Sequence, residues 1–184
     1  YGMQDRQFGP LASKIRADNP DIIYASGYFY TAGPLVSQLR SAGITAPIIG
    51  QEGYDSDKFI EIAGAASEGT LVTTSLNRDS DSPVTKAFLA DYRKANNAGA
   101  DMVAAASFTA TSVMIEGLKK TGGKGGDALR AAMAGATFNT PIGKLTFNKL
   151  NEVAKDIQVQ IVKDKVFRSH SVISDPVLLA PPTK

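Results

Sequence analysis

The chain has no cysteine and a single histidine among its 184 residues. Lack of cysteine excludes disulfides and thiolate metal sites, and the lone His170, beside Arg168 near the end, reads as a surface or packing side chain. Basic and acidic residues number 20 and 18, a net charge of +2. They are interspersed rather than grouped into a Lys/Arg block, which argues against nucleic acid as the main partner. No apolar run approaches the roughly 18 residues that a membrane-spanning helix needs. No G-x-S-x-G, phosphate loop or H-E-x-x-H is present, so no catalytic motif stands and no enzymatic activity or cofactor is expected. No secretory leader opens the chain, although a mature exported protein would have lost one. Tyr1-Gly2-Met3-Gln4 leads into a helix with no strand before it, as expected of a chain cut from something longer.

What is present is a rhythm. Apolar runs around Ile22, Ile48 and Leu71 recur about 25 residues apart, with a helical pattern between each pair. This is the cadence of parallel βαβ units with right-handed crossovers. A first helix, capped by Asp5 and carrying Phe8, Leu11, Ala12 and Ile15, is stopped by Asp18-Asn19-Pro20. The strand 21–26 follows and ends in the aromatic cluster Gly27-Tyr28-Phe29-Tyr30. Thr31 is expected to cap a helix over 32–42, closed by Gly43. The strand 47–50 runs into Gln51-Glu52-Gly53, Asp55 or Ser56 caps a helix to 66, and the third strand is 70–75.

Ser82-Pro83 starts the next helix, with proline at its first position. An Ala-rich helix spans 101–120, and Gly122-Gly123-Lys124-Gly125-Gly126 links it to a short one at 127–134. That glycine run follows a helix rather than a strand, so it reads as a linker and not a phosphate loop. The segments 142–147 and 157–162 alternate like antiparallel strands, with a turn at 148–151 between them. A short strand at 166–169 follows, and the tail at 174–184, with three prolines, is expected to cross the surface extended. Asp79 and Asp81 flank Ser80 in what reads as a solvated turn, and no metal site is assigned.

Ligands bind at the carboxyl ends of strands in open α/β sheets. Tyr28 follows the first strand and Glu52 the second, so both fall on that edge. An aromatic face and a phenol beside a carboxylate can hold an ammonium group. Tyr30 and Tyr54 lie nearby in sequence.

These residues also carry a resemblance. Asn19-Pro20-Asp21-Ile22-Ile23-Tyr24, Gly27-Tyr28, Gln38-Leu39-Arg40-Ser41-Ala42-Gly43 and Gly50-Gln51-Glu52-Gly53 stand in order. Ala66-Ser67-Glu68-Gly69-Thr70-Leu71-Val72-Thr73 and Ile142-Gly143-Lys144-Leu145-Thr146-Phe147-Asn148 follow. Their order and spacing resemble the second half of the periplasmic leucine/isoleucine/valine-type substrate-binding proteins of ABC transporters.

The resemblance implies an α/β fold: a three-layer αβα lobe with a parallel sheet, the type I periplasmic-binding-protein fold, here incomplete. Residues 1–94 and 154–184 are expected in the second, ligand-binding lobe, with 95–153 contributing a helical and hairpin portion to the first lobe and hinge. It also implies a small-molecule ligand, an amino acid or related compound, held between two lobes and delivered to a membrane permease. In this reading Tyr28 and Glu52 hold the ligand's ammonium group. Gly27, Gln51 and Tyr54 stand beside them, and Phe108 lies near the hinge. The carboxylate-binding groups would come from the complementary N-terminal half of the same protein. The expected location is periplasmic. The alternatives are a ligand-sensing regulator or receptor domain of the same fold, or a binder of an amide or aromatic acid.

Overall fold

Proline and asparagine bracket the first helix, α1 (Gly9–Asp18). Pro10 sits in its first turn, where no amide donor is needed, and Asn19 takes a left-handed backbone (φ 44°) that ends it. The cap is Phe8, not Asp5. The Asp5 carboxylate instead accepts the Gly2 N–H at 2.7 Å. The computed structural model describes residues 1–180. The last part of the expected extended tail, 181–184, lies outside the described residues, and 176–179 form a turn rather than an extended run.

The chain divides into two compact units, Tyr1–Thr74 with Val159–Ser171, and Ser75–Gln158 with the stretch from Val172 on. The first unit thus ends at Thr74, within the 1–94 stretch expected for one lobe. The physical reason is the helix α4 (Pro83–Asn96). Its Phe88, with Leu89 and Tyr92, packs in one cluster with Leu76, Ala105, Val113, Phe138 and Leu145, all in the second unit.

In the first unit three strands run parallel, β1 (Ile23–Ala25), β2 (Ile48–Gly50) and β3 (Leu71–Thr74). Ala25 stands opposite Gly50, and Gly50 opposite Val72. The connections are α2 (Phe29–Ser41) and α3 (Asp57–Ala63). Gly33 of α2 lets the two helices approach closely: a Cβ there would lie 2.5 Å from Ile62. Leu35, Val36, Leu39, Ile48, Phe59 and Val72 are fully or almost fully buried between these elements. Helix α2 begins earlier than its expected Thr31 cap. Thr31 Oγ1 is committed to the Met3 carbonyl at 3.0 Å, while the Tyr28 carbonyl accepts the N–H groups of Thr31 and Ala32.

Two further strands, β7 (Ile157–Lys163) and β8 (Val166–Ile173), complete a sheet of order β1-β2-β3-β7-β8. Strands β4 (Phe138–Thr140), β5 (Gly143–Phe147) and β6 (Val153–Ala154) belong to the second unit. Between β7 and β8, Asp164 and Lys165 both have positive φ, 55° and 61°, the backbone of a type I′ hairpin turn. The Glu68 carboxylate accepts both of their N–H groups, at 3.1 and 2.7 Å.

The second unit holds α4, α5 (Met102–Lys120) and α6 (Gly126–Ala134). Asp101 caps α5, its carboxylate accepting the Ala104 N–H at 2.8 Å. An antiparallel sheet joins β4 (Phe138–Thr140), β5 (Gly143–Phe147) and β6 (Val153–Ala154). The segments 142–147 and 157–162 therefore do not pair with each other as the sequence suggested. The first pairs with Phe138–Thr140 and Val153–Ala154, strands too short to show alternation, and the second lies beside β3. Among the described residues no helix is long and apolar enough to cross a membrane.

Candidate ligand-binding site

Because Ala25 and Gly50 are register partners, the segments leaving β1 and β2 emerge side by side at the carboxyl edge of the sheet. Ser26-Gly27-Tyr28 leaves one strand and Gln51-Glu52-Gly53 the other. The Gln51 side chain ties them together. Its Nε2 donates to the Gly27 carbonyl at 2.7 Å, and its Oε1 accepts the Gly53 N–H at 3.1 Å. Gly53 presses against the Gly27 carbonyl so closely that any Cβ would collide with it. On the other side of the loop the Tyr1 hydroxyl donates to the Ser26 carbonyl, and a Cβ on Gly27 would lie 2.9 Å from that hydroxyl.

Glu52 opens a single 3-10 turn, Glu52–Tyr54, and is partly buried. Tyr28 occupies the N-cap position of α2, with extended backbone, and is 49% exposed. Its ring stacks on Tyr30, with centroids 5.7 Å apart and planes within 5°. The Arg6 guanidinium lies 5.6 Å from the Tyr30 centroid. The edge therefore carries a carboxylate and a stacked phenol pair, groups of the kind that can hold a cationic ligand group.

Of the other residues named from the sequence, Gly27 belongs to this edge through its carbonyl, and Gln51 through its two hydrogen bonds. Tyr54 does not face it. Its side chain is 0% exposed, over Gly50, where a Cβ would lie 2.5 Å from the ring, and 5.1 Å from Phe59 between centroids. Following Gly50 directly with a 3-10 turn folds Tyr54 back beneath its own strand, so it serves the core. Burial pushes its phenol far above the ordinary tyrosine range, and the neighbouring Tyr1 adds to this. Phe108 belongs to the second unit. It is 50% exposed on α5, 5.0 Å from the Phe88 ring, and lines a groove of about 600 Å³ with Val84, Phe88 and Tyr92.

His170 is exposed on β8. Asp81 pairs with Lys86 at 2.7 Å, which holds its carboxyl below the usual range. Among the described residues no three His, Cys, Asp or Glu side chains gather as a metal site. Sequence reasoning missed the Gln51 bridge. Its only signal was Gly53, two residues beyond the glutamine, a position without the side chain that such an approach would exclude.

A family model described as periplasmic binding protein matches residues 1–165, and the chain belongs to that family. It is 30% identical over 149 residues to the leucine-, isoleucine-, valine-, threonine- and alanine-binding protein of Pseudomonas aeruginosa, across 81% of this chain and 40% of that protein. The crystal structure of a leucine binding protein from Thermotoga maritima MSB8 superposes with a TM-score of 0.87 at 26% identity, covering 96% of this chain and 51% of the other. A solute binding protein of an ABC transporter from R. palustris, solved with benzoate, shares the fold at a TM-score of 0.81 and 22% identity, over 94% of this chain and 48% of its own. The chain thus spans about 40% of the length of the first curated relatives it matches, and about half of these solved structures. The architecture is the type I periplasmic-binding-protein fold, represented here by a partial α/β lobe and a second helical and hairpin unit.

Proposed function

We propose that this chain supplies the ammonium-binding edge of an extracytoplasmic solute-binding protein of an ABC importer, and that its ligand is an α-amino acid of the branched-chain type. One observation carries the reading: Tyr28 and Glu52 leave register-paired parallel strands at the same sheet edge, where a carboxylate and an aromatic face can share one ammonium group. Glu52 provides the charge and Tyr28 the phenol and ring. The ligand's carboxylate is met by groups from the complementary N-terminal half. Closure of the two lobes selects the ligand-bound state by population shift, and the closed form is what a membrane permease engages in the periplasm. The name of the Pseudomonas aeruginosa relative supports leucine, isoleucine, valine, threonine and alanine as the ligands to try first.

The test is calorimetry on the full-length protein with L-leucine, L-isoleucine and benzoate. Wild type is expected to bind an amino acid, and Glu52→Gln to weaken it about tenfold or more by removing a partly buried charge partner. Unchanged affinity in Glu52→Gln would remove the ammonium role. Binding of benzoate in place of any amino acid would replace the ligand class.

A further inference from the structure

We infer that Gln51 is a positioning residue, a brace that sets the spacing of Tyr28 and Glu52, and not a ligand contact. The inference rests on the ammonium-edge reading above for its consequence in binding, but the brace itself stands on geometry alone. Both ends of the amide are engaged within the protein. Nε2 donates to the Gly27 carbonyl, 2.7 Å away, and Oε1 accepts the Gly53 N–H, 3.1 Å away. One side chain therefore fastens the residue before Tyr28 to the residue after Glu52. Its polar atoms face the two loops that carry the proposed ligand groups.

A second observation points the same way. Gly53 has no side chain, and none would fit, because a Cβ would run into the Gly27 carbonyl. The two loops are held at a separation that only glycine at 53 permits. Ala25 and Gly50 end the register between β1 and β2, so past them no strand ladder fixes the distance between the loops. A rotamer-rich side chain committed at both ends does so instead. A site that holds its charged and aromatic groups at one fixed spacing loses less freedom when the ligand arrives.

The experiment compares wild type, Gln51→Met and Gly53→Ala in the full-length protein. The methionine keeps length and bulk but can neither donate to Gly27 nor accept from Gly53. The alanine leaves the glutamine in place and forces the loops apart. Thermal unfolding establishes that each variant is folded. Amide hydrogen exchange without ligand reads the brace, and L-leucine calorimetry reads its consequence. In Gln51→Met the Gly53 amide is expected to exchange at least about tenfold faster, since it has lost its acceptor. L-Leucine affinity is expected to fall about tenfold or more in both variants.

Weakened binding in Gln51→Met with an unchanged Gly53 amide would mean that Gln51 touches the ligand, and would overturn the brace. Faster exchange with unchanged affinity would overturn its bearing on the site, as would wild-type affinity in Gly53→Ala. If wild type binds no amino acid, the ammonium-edge reading fails by itself. Exchange at Gly53 then decides the brace: protection retained in Gln51→Met overturns it, and protection lost upholds it.

Discussion

The Thr74 hydroxyl, at the end of β3, donates to the Asp55 carboxylate, just past the turn that follows β2. Both residues are buried, at 1% and 3% exposure. With Thr73 Oγ1 reaching the Gly50 carbonyl at 3.3 Å and Gln51 reaching Gly27, side chains link the carboxyl ends of all three parallel strands. This edge of the sheet is thus held by side-chain hydrogen bonds where the backbone ladder stops.

Removing the hydroxyl leaves a buried carboxylate short of a donor, which costs more than the bond itself. Thr74→Val keeps the shape and is expected to lower unfolding free energy by about 1–3 kcal/mol. Urea denaturation of the full-length protein measures it. A midpoint equal to wild type at unchanged slope would mean that Asp55 is satisfied without Thr74.

Glu68 does comparable work at the hairpin. Its two carboxylate oxygens hold the N–H groups of Asp164 and Lys165, two residues in left-handed backbone that lack glycine's freedom. Glu68→Ala is expected to cost about 1 kcal/mol and to speed exchange at those two amides. Glu68→Gln, which keeps one acceptor oxygen, should fall between. Exchange unchanged in Glu68→Ala would show that the turn holds itself.

Tyr54 gives a pH dependence. Its phenol is pushed up, first by burial and then by the charge of Tyr1, and Tyr1 is itself raised by burial. A folded-state value above the unfolded one means that the folded state keeps the proton longer. The stabilisation is therefore complete below the ordinary tyrosine value of about 10 and is lost as pH rises beyond it. Unfolding free energy should decline above about pH 10, less steeply in Tyr54→Phe than in wild type. That variant should be near neutral at pH 7, because the buried Tyr54 hydroxyl has only the neighbouring Tyr1 hydroxyl beside it and no complete hydrogen bond among the described residues. Parallel alkaline curves for the two proteins would contradict the burial argument.

The parallel strands, their order of appearance and most helix starts were legible in the sequence, because apolar runs, Ser82-Pro83 and Asp101 are local signals. So was the placement of Tyr28 and Glu52 at strand ends, since that follows from period and order alone. Tyr54 was misread because its direction depends on the 3-10 turn at Glu52–Tyr54, which carries no periodicity. The partner of β5 was missed because Phe138–Thr140 is a strand of 3 residues. The start of the second unit at Ser75 depends on where the Phe88 face packs, a tertiary fact that helix pattern does not encode.

The last expectation concerns surfaces left open. Parallel sheets are ordinarily covered on both faces, yet Tyr24 in the middle of β1 is 67% exposed and Ile22 beside it is exposed too. On α5, Val103, Phe108, Met114 and Ile115 are also exposed. Exposed apolar side chains in such number mark contact surfaces, and the complementary half proposed above is the element expected to cover them. The 184-residue chain produced alone is therefore expected to self-associate and to bind a hydrophobic dye, and both effects should diminish when the remainder of the protein is present in the same polypeptide. Sedimentation velocity and dye fluorescence on the two proteins check this. A chain that is a dye-silent, monodisperse monomer by itself would show that these side chains need no cover.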